Sequence, residues 1–137
     1  MMFLAQQPDS SVLTPVIAEK TQVPPGYLAK VLQALGRANL VRSQRGIGGG
    51  FTLARAPAEI SVLDVVNAVD PVKRITSCPL NIKSHGTGLC TLHHELDRAI
   101  GLVEDAFRQC TLQQLLPNTR KSQALCSLGA AEPKKGR

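Results

Sequence analysis

The fold is decided by the stretch Leu40-Val41-Arg42-Ser43-Gln44-Arg45-Gly46-Ile47-Gly48-Gly49-Gly50-Phe51-Thr52-Leu53-Ala54. Residues 40–43 and 51–54 are typical of two short β-strands, and four glycines stand in the loop between them. The pattern therefore predicts a β-hairpin. Glycine reaches positive φ without steric cost and lets a backbone come close to another surface, and Arg45 adds a guanidinium to this loop.

The glycine-rich loop has two other interpretations. The hairpin could simply be flexible, or residues 46–50 could cradle a nucleotide phosphate, because they superficially resemble a nucleotide-binding loop. Loops of the phosphate-binding kind carry a lysine and a Ser or Thr and open a helix directly after the glycines. Here that lysine is missing and no helix is predicted after Gly50, which disfavours the phosphate-binding interpretation.

The segment before the hairpin predicts two helices joined by a tight turn. Thr14 is the expected N-cap of the first helix, with Pro15 as its first residue and an end near Lys20. The second helix opens at Pro25, and its apolar residues recur at i, i+3, i+4 and i+7: Leu28, Val31, Leu32 and Leu35. Together with the hairpin this predicts a winged helix-turn-helix, although helical hairpins that bind no DNA share the spacing.

Positive charge is concentrated in this same part of the chain. The formal net charge is +6, and no Asp or Glu occurs between Thr21 and Ala58. The block contains five cations instead: Lys30, Arg37, Arg42, Arg45 and Arg55. Because a cationic surface gains affinity for a polyanion by releasing its counterions, we expect double-stranded DNA as the partner.

Length and composition limit the architecture. A chain of 137 residues fits one domain, or a compact module with one appended helix. Hydrophobic residues make up 43% and aromatic residues 3%, so Leu, Val, Ile and Ala must fill the core. Small domains bury a small fraction of their surface, and a second copy that shares the core is expected to help.

The sequence contains no stretch that predicts export or membrane insertion. The apolar opening, Met1 to Ala5, is far shorter than the ~20 residues of a membrane span and lacks the regions of a signal peptide. We therefore expect a cytoplasmic protein whose cysteines are reduced or bind metal. These cysteines are Cys78, Cys90, Cys110 and Cys126.

Two further helices are predicted after the hairpin. Ser61 and Asp64 resemble a capping box at the start of a helix that ends before Pro71. Residues 72–89 are loop-like, and a long helix starts at Thr91. Its apolar stripe comprises Leu92, Leu96, Ala99, Ile100, Val103, Ala106, Phe107 and Cys110. Such a stripe packs either against a second copy, which we favour, or against the rest of the same chain. The charged residues outside this stripe, Asp97 and Glu104 among them, are expected on a solvated face, where Glu104 and Arg108 are spaced to pair.

Five segments together resemble the IscR/NsrR/CymR family of bacterial winged-helix regulators, also called the Rrf2 family. The resemblance runs from about Phe3 to Leu116, and its most specific part is the glycine-rich string after Arg45. The segments are residues 17–21, 27–28, 40–43, 45–51 and 60–66. The resemblance implies a homodimer that binds a palindromic operator, reads the major groove with the second helix and the minor groove with the wing, and dimerises through the long helix.

Carried onto this chain, the resemblance implies specific DNA contacts. Tyr27 and Lys30 would lie on the exposed face of the recognition helix, unless Tyr27 packs into the core. Arg45 and the glycines that follow it, Gly48 and Gly49 among them, would form the DNA-contacting wing. Arg37 and Arg42 would touch phosphates, which position a protein without reading sequence.

The chain departs from the family pattern in two places. Members usually begin with a full helix, of which only the last turns match residues 4–7, so either the fold lacks this support or the start codon lies upstream. Cluster-binding members also carry three cysteines before the long helix. Cys78 and Cys90 match the outer two, but Ser84 stands at the middle position.

The changed cysteine set leaves three outcomes for the loop. An iron–sulfur cluster would use Cys78, Cys90 and His93, with His85 as a substitute ligand, although clusters are normally held by four cysteines. The same residues suit zinc or a thiol sensor. The loop could also bind no cofactor, which is the outcome the sequence favours.

These observations divide the chain into four parts and leave three functions. The parts are a winged helix-turn-helix at 1–70, a cysteine-containing sensor loop at 71–90, a dimerisation helix at 91–117 and a basic tail without a fold at 118–137. The leading function is a transcriptional regulator of the repressor type, and the sequence predicts no enzyme. The alternatives are a thiol enzyme that uses Cys90 with His93 or His94, and a protein-interaction module that has lost DNA binding.

Overall fold

The computed structural model describes residues 1–8, 10–80 and 88–117 as a mainly helical fold with one small β-hairpin. In chain order the elements are α1 (Met2–Ala5), α2 (Thr14–Thr21), α3 (Pro25–Arg37), β1 (Val41–Gln44) and β2 (Gly50–Leu53), then a 3-10 turn (Pro57–Glu59), α4 (Val62–Val69), α5 (Thr91–Gln109) and α6 (Leu112–Leu115). The predicted fold class, a winged helix-turn-helix followed by a long helix, is confirmed.

The core lies where the apolar face of α3 meets the start of the hairpin and the segment before α4. Leu28, Leu32 and Leu35 are buried on α3, as their spacing predicts. Leu40 and Ile60 are the large side chains buried most completely among the described residues. Aliphatic residues thus carry the core, with Phe3 as its one buried aromatic residue in the described ranges.

The hairpin is fastened to the segment before α2. Val41 pairs with Leu53 and Gln44 with Gly50, and Val12 adds a bridge to the outer side of β2, where Val12 and Phe51 exchange two backbone hydrogen bonds of 3.0 and 2.8 Å. A Cβ on Gly50 would lie 2.6 Å from the Val12 carbonyl carbon. Gly50 is therefore needed for this close approach, which fixes the base of the wing.

The ends of the first helices refine the sequence prediction. α2 begins at Thr14 with Leu13 as its N-cap, so the predicted Thr14 cap was wrong by one residue, and Leu13 offers no side-chain cap. α3 ends at Arg37, and Asn39 follows in the left-handed region with φ of 54°. The Leu40 amide then donates to the Leu35 carbonyl at 2.9 Å, which closes the helix and starts the hairpin.

The capping box predicted for α4 is present. The Ser61 hydroxyl accepts from the Asp64 amide, and an Asp64 carboxylate oxygen accepts from the Ser61 amide, both at 3.0 Å. The same segment holds the far end of α5, because the Val62 amide donates to the Cys110 carbonyl and the Leu112 amide donates to the Ile60 carbonyl. α5 therefore ends against the domain that contains the hairpin.

Residues 118–137, for which the sequence predicts a tail without a fold, lie outside the described residues, as do Ser84 and His85. Among the helices that are described, none has the length and apolar character required to cross a membrane.

Candidate nucleic-acid interface and cysteine site

The outer face of α3 carries a row of exposed polar side chains. Lys30 and Arg37, both expected there from the sequence, are exposed, and Tyr27 is 60% exposed and so is no core residue. Gln33 lies between Lys30 and Arg37 on this face and is also exposed. Sequence reasoning missed Gln33, although its i+3 spacing from Lys30 and i−4 spacing from Arg37 was the available signal.

A groove of about 470 Å³ separates this face of α3 from the hairpin. Gln33 lines it from α3, Ser43 from β1 and Thr14 from the start of α2, so each wall contributes a side chain that is capable of hydrogen bonding. The recognition helix predicted from sequence and the wing therefore border one shared surface.

The wing extends beyond this groove. Arg42 and Arg45 are exposed, as is Gly48. Gly49, by contrast, is buried, and a Cβ there would lie 2.5 Å from the Gln44 carbonyl oxygen. Gly49 thus shapes the loop from inside, whereas Gly48 lies at its surface.

The cations of the acid-free block differ in their partners. Arg55 lies 4.0 Å from Asp64, so its charge is partly balanced within the chain. Within the described ranges, no acidic side chain forms an ion pair with Lys30, Arg37, Arg42 or Arg45. These four charges therefore remain available to an external anion.

A second group of functional side chains lies at the start of α5. His93 Nδ1 is 3.3 Å from the Cys90 sulfur and 3.8 Å from the Cys78 sulfur, although Cys78 comes from the segment after α4. Cys78 is buried, and Cys90 is the N-cap of α5. The structure thus brings together three of the residues that the sequence singled out, while the fourth, His85, lies outside the described residues.

Two thiols and an imidazole are donor types that iron and zinc accept. Within the described ranges, however, no three His, Cys, Asp or Glu side chains are arranged to hold a metal ion. Cys78, Cys90 and His93 therefore match a metal or cluster in donor type, but the described residues do not arrange them as a metal site.

Next to this group, Arg74 fastens the segment after α4 across α5. Its guanidinium donates to both carboxylate oxygens of Asp97, at 2.7 and 2.5 Å, and to Glu104 at 3.3 Å. The Ile75 amide adds a fourth bond, to Asp97 at 2.8 Å. The guanidinium lies over Gly101, where a Cβ would be 3.2 Å from it. We call these four residues, Arg74, Asp97, Gly101 and Glu104, the Arg74 clamp.

The Arg74 clamp corrects two predictions for α5. Asp97 and Glu104 do not lie on a solvated face, because Arg74 covers them and leaves their side chains 19% and 16% exposed. Glu104 pairs with Arg74 rather than Arg108, and Arg108 pairs with Asp105. Hydrogen bonds from Arg74 hold the pKa of Asp97 down to about 2, so the carboxylate is charged at neutral pH.

The other face of α5 has an apolar stripe that the rest of the described residues does not cover. No residue of this helix is buried, and Leu92, Leu96 and Val103 are 65%, 46% and 47% exposed. Ala99 and Ala106 continue the stripe, with alternating spacings of four and three residues. We call Leu92, Leu96, Ala99, Val103 and Ala106 the outer stripe. Ile100 and Phe107, which the sequence placed in the same stripe, are half-buried towards the domain.

Comparisons with known proteins agree with this architecture. A family model described as "Rrf2: Iron-dependent Transcriptional regulator" matches residues 1–118. The HTH-type transcriptional regulator NsrR of Bacillus licheniformis is 30% identical over 104 residues, covering 74% of this chain and 73% of that protein.

Solved structures of similar fold include two regulators. T. potens IscR matches with a TM-score of 0.71 and 25% identity, covering 89% of this chain and 83% of that one. CymR, the global cysteine regulator of B. subtilis, matches with a TM-score of 0.67 and 22% identity, covering 83% and 84%. The family resemblance noted from the wing string is thereby confirmed, and the chain belongs to the Rrf2 family of winged-helix transcriptional regulators.

Proposed function

We propose that this chain binds a palindromic operator as a homodimer, represses transcription there, and adjusts its DNA affinity through Cys78, Cys90 and His93. The observation that carries the proposal is the groove that α3 and the wing share, lined by Gln33 and Ser43. Lys30 on α3 and Arg45 on the wing are both exposed and have no acidic partner within the described ranges. An α-helix fits the major groove of DNA, and a narrow hairpin suits the adjacent minor groove or backbone.

The residues of this surface have different tasks in the proposal. Lys30 and Gln33 extend hydrogen-bonding groups from α3 towards base edges, whereas Arg37 and Arg42 meet phosphates and set the orientation. Arg45 carries its charge to the wing, where the glycine turn allows close approach to the backbone. Thr14 and Ser43 line the groove between α3 and the wing and can donate hydrogen bonds to phosphate oxygens.

The homodimer is supported by the outer stripe of α5. Apolar residues that recur at alternating spacings of four and three residues form the seam between two helices that wind around each other in a left-handed supercoil. A two-fold axis through this seam would present two α3 helices to DNA, so a palindromic operator would mirror the symmetry of the protein. Repression would follow without a further part of the protein if the operator overlaps the promoter, because a bound dimer would then exclude RNA polymerase from it.

Regulation through the cysteine site is supported by its place in the chain. Cys78 lies on the segment that leaves α4, and α4 packs against both α3 and α5. If a metal or cluster is bound, Cys78, Cys90 and His93 would hold it, and it would supply a redox- or metal-dependent link between this segment and α5. Cys90 at the helix start and His93 one turn later lie on α5 itself, whereas Cys78 comes from the segment after α4 and meets His93 at 3.8 Å.

DNA binding is tested by fluorescence anisotropy with duplex DNA selected from a random pool, at increasing salt. We expect steep salt dependence, with Arg45→Ala and Lys30→Ala each weakening binding and lowering the log–log salt slope by about 1 if its charge meets a phosphate. Arg108→Ala removes the same charge from α5 and serves as the matched control with an unchanged slope. A flat salt response of the wild-type protein would contradict the proposal.

Sensing is tested on protein purified without oxygen. Visible absorption and metal content show whether a cluster or metal is bound, and we expect the DNA affinity to change by about 5- to 150-fold on oxidation or chelation, the usual range of allosteric coupling. Cys90→Ser should abolish this change, whereas Cys110→Ser, a half-buried thiol at the other end of α5, should keep it. Equal DNA affinity of loaded, stripped and Cys90→Ser protein would exclude a sensing role.

The contact between Cys90 and His93 also suits a thiol enzyme, in which the imidazole activates the sulfur. The same variants separate the two functions. If the protein is a thiol enzyme, Cys90→Ser should abolish turnover, and neither the wild-type protein nor its variants should bind DNA. If it is a protein-interaction module, it should bind neither DNA nor a substrate.

A further inference from the structure

Ile47 lies at the apex of the wing and is 110% exposed, more than any other large hydrophobic residue among the described ones. The next most exposed, Leu80, reaches 68%. Between Gly46 and Gly50, Ile47 is also the one residue that carries a side chain. The wing therefore presents a single apolar group to whatever it meets.

The turn that carries Ile47 is built in a fixed shape. Gly46 and Gly48, on either side of it, have φ of 94° and 78°, and the Gly49 amide donates to the Gly46 carbonyl at 2.9 Å. A residue with a side chain would be strained at the two positive-φ positions and would clash at Gly49. Because the backbone is set by its neighbours, the side chain of Ile47 is free to vary without changing the turn.

The charges around Ile47 favour a polyanion as its partner. Arg45 is two residues away, and Arg42 lies farther down the same strand, both exposed. A second copy of this surface would repel it, because the copy carries the same charges. A nucleic-acid groove offers both the phosphates that attract the arginines and an interior of sugar and base surfaces that an apolar tip can touch.

The minor groove distinguishes base pairs in a way that an apolar group can detect. A·T and T·A present acceptors alone, whereas G·C adds the 2-amino group of guanine, which protrudes from the groove floor. A rigid apolar apex gains contact in an A·T groove and meets an unsatisfied donor in a G·C groove. Apolar side chains, isoleucine among them, are known to enter this groove, where they insert between base steps and bend the duplex.

We propose that Ile47 enters the minor groove and selects A·T over G·C in the base pairs beneath the wing. The inference rests on the proposed DNA binding and adds a residue that determines specificity. The wing then has two separate functions: Arg45 supplies affinity that depends on salt, and Ile47 supplies base discrimination that does not.

The test uses duplexes selected by the wild-type protein, with the pairs beneath the wing located by minor-groove footprinting. These pairs are replaced by A·T, by G·C, or by inosine·cytosine, which keeps the major groove of G·C and lacks the 2-amino group. We expect the wild-type protein to bind the A·T and inosine duplexes about tenfold more tightly than the G·C duplex, the scale of one mismatched pair. Ile47→Ala should bind all three within about twofold, at an unchanged salt slope.

Two variants control the measurement. Ile47→Val keeps a β-branched apolar apex and should keep the preference, and Leu80→Ala, which removes an exposed apolar side chain elsewhere, should leave it intact. If the inosine duplex behaves like G·C, or if Ile47→Ala still discriminates, the inference is overturned while DNA binding stands. If the wild-type protein binds no duplex, the proposed function itself fails.

Discussion

Arg74 gains its importance from how many groups converge on one guanidinium. It binds Asp97 through two nitrogen atoms and Glu104 through a third, while the absence of a side chain at Gly101 gives it room. Two-point pairing of a planar guanidinium with a carboxylate is more specific than a lysine contact, so Arg74→Lys is not a conservative change here. Glycine inside a helix is about 1 kcal/mol less favourable than alanine. The room that Gly101 leaves for the Arg74 guanidinium explains why α5 has a glycine at this position.

Asp97 should make the stability of the fold depend on acid. Its pKa is about 2 in the folded chain, because Arg74 donates to it, against about 3.9 for an unperturbed aspartate. A depressed folded pKa contributes stability that is complete above pH 4 and is lost as the pH falls towards 2. We therefore expect the difference in urea midpoint between wild type and Asp97→Asn to shrink between pH 5 and pH 2.5, measured by circular dichroism.

Asp105→Asn provides the control for this acid effect, since Asp105 pairs with Arg108 at an exposed position on the same helix. A constant difference between wild type and Asp97→Asn across that pH range would show that Asp97 acts through packing rather than charge.

At the scale of elements, helix starts differ in how far their sequence determines them. α4 has a reciprocal capping box, which satisfies two backbone groups at its first turn. α2, α3 and α5 have no side-chain cap, and two of them have proline in the first turn instead. A proline fixes the direction of the backbone, whereas a capping side chain also satisfies a donor. α4 is therefore a helix start whose stability a single substitution can measure, and the four-residue α6 has a capping box of the same kind at Thr111 and Gln114.

Ser61→Ala should lower the free energy of unfolding by about 1 kcal/mol, the usual cost of losing an N-cap hydroxyl. Urea denaturation followed by circular dichroism measures this. Ser77→Ala is the matched control, because Ser77 is exposed and forms no side-chain hydrogen bond within the described part of the chain. Equal losses in the two variants would mean that the Ser61 cap contributes nothing specific.

At the scale of the whole molecule, the sequence predicted the parts better than their mutual contacts. The wing string, the spacing on α3 and the Ser61 cap are local patterns, and each predicted its element to within a residue or two. The Arg74 clamp joins residues 23 and 30 positions apart, so no local spacing indicates it, and the pairing of Glu104 with Arg108 was wrong for that reason. The periodicity of α5 located one apolar stripe, but could not tell which part faces the domain.

The outer stripe predicts the state of assembly. Val103→Asp places a charge in the middle of the seam, and since Val103 is 47% exposed the change spares the core. We expect the wild-type protein to have twice the chain mass of 14.7 kDa in light scattering after size exclusion, and Val103→Asp to have the mass of one chain. Gln109→Asp, also exposed on α5 but outside the stripe, should remain a dimer.

A wild-type protein that has the mass of one chain at every concentration would contradict the homodimer. Loss of the dimer in Gln109→Asp as well would mean that the contact is not confined to the outer stripe.

Both ends of α5 are tied to the same domain, by Cys78 and Arg74 near its start and by hydrogen bonds to Ile60 and Val62 at its end. A helix of 19 residues is about 28 Å long. If the backbone bonds at Ile60 and Val62 act as a pivot, α5 becomes a lever, and a rotation of about two degrees moves its far end by about one ångström. A displacement of about one ångström at Cys90 would then tilt the two halves of a dimer relative to each other. The distance between their two α3 helices would no longer match the distance between the DNA half-sites.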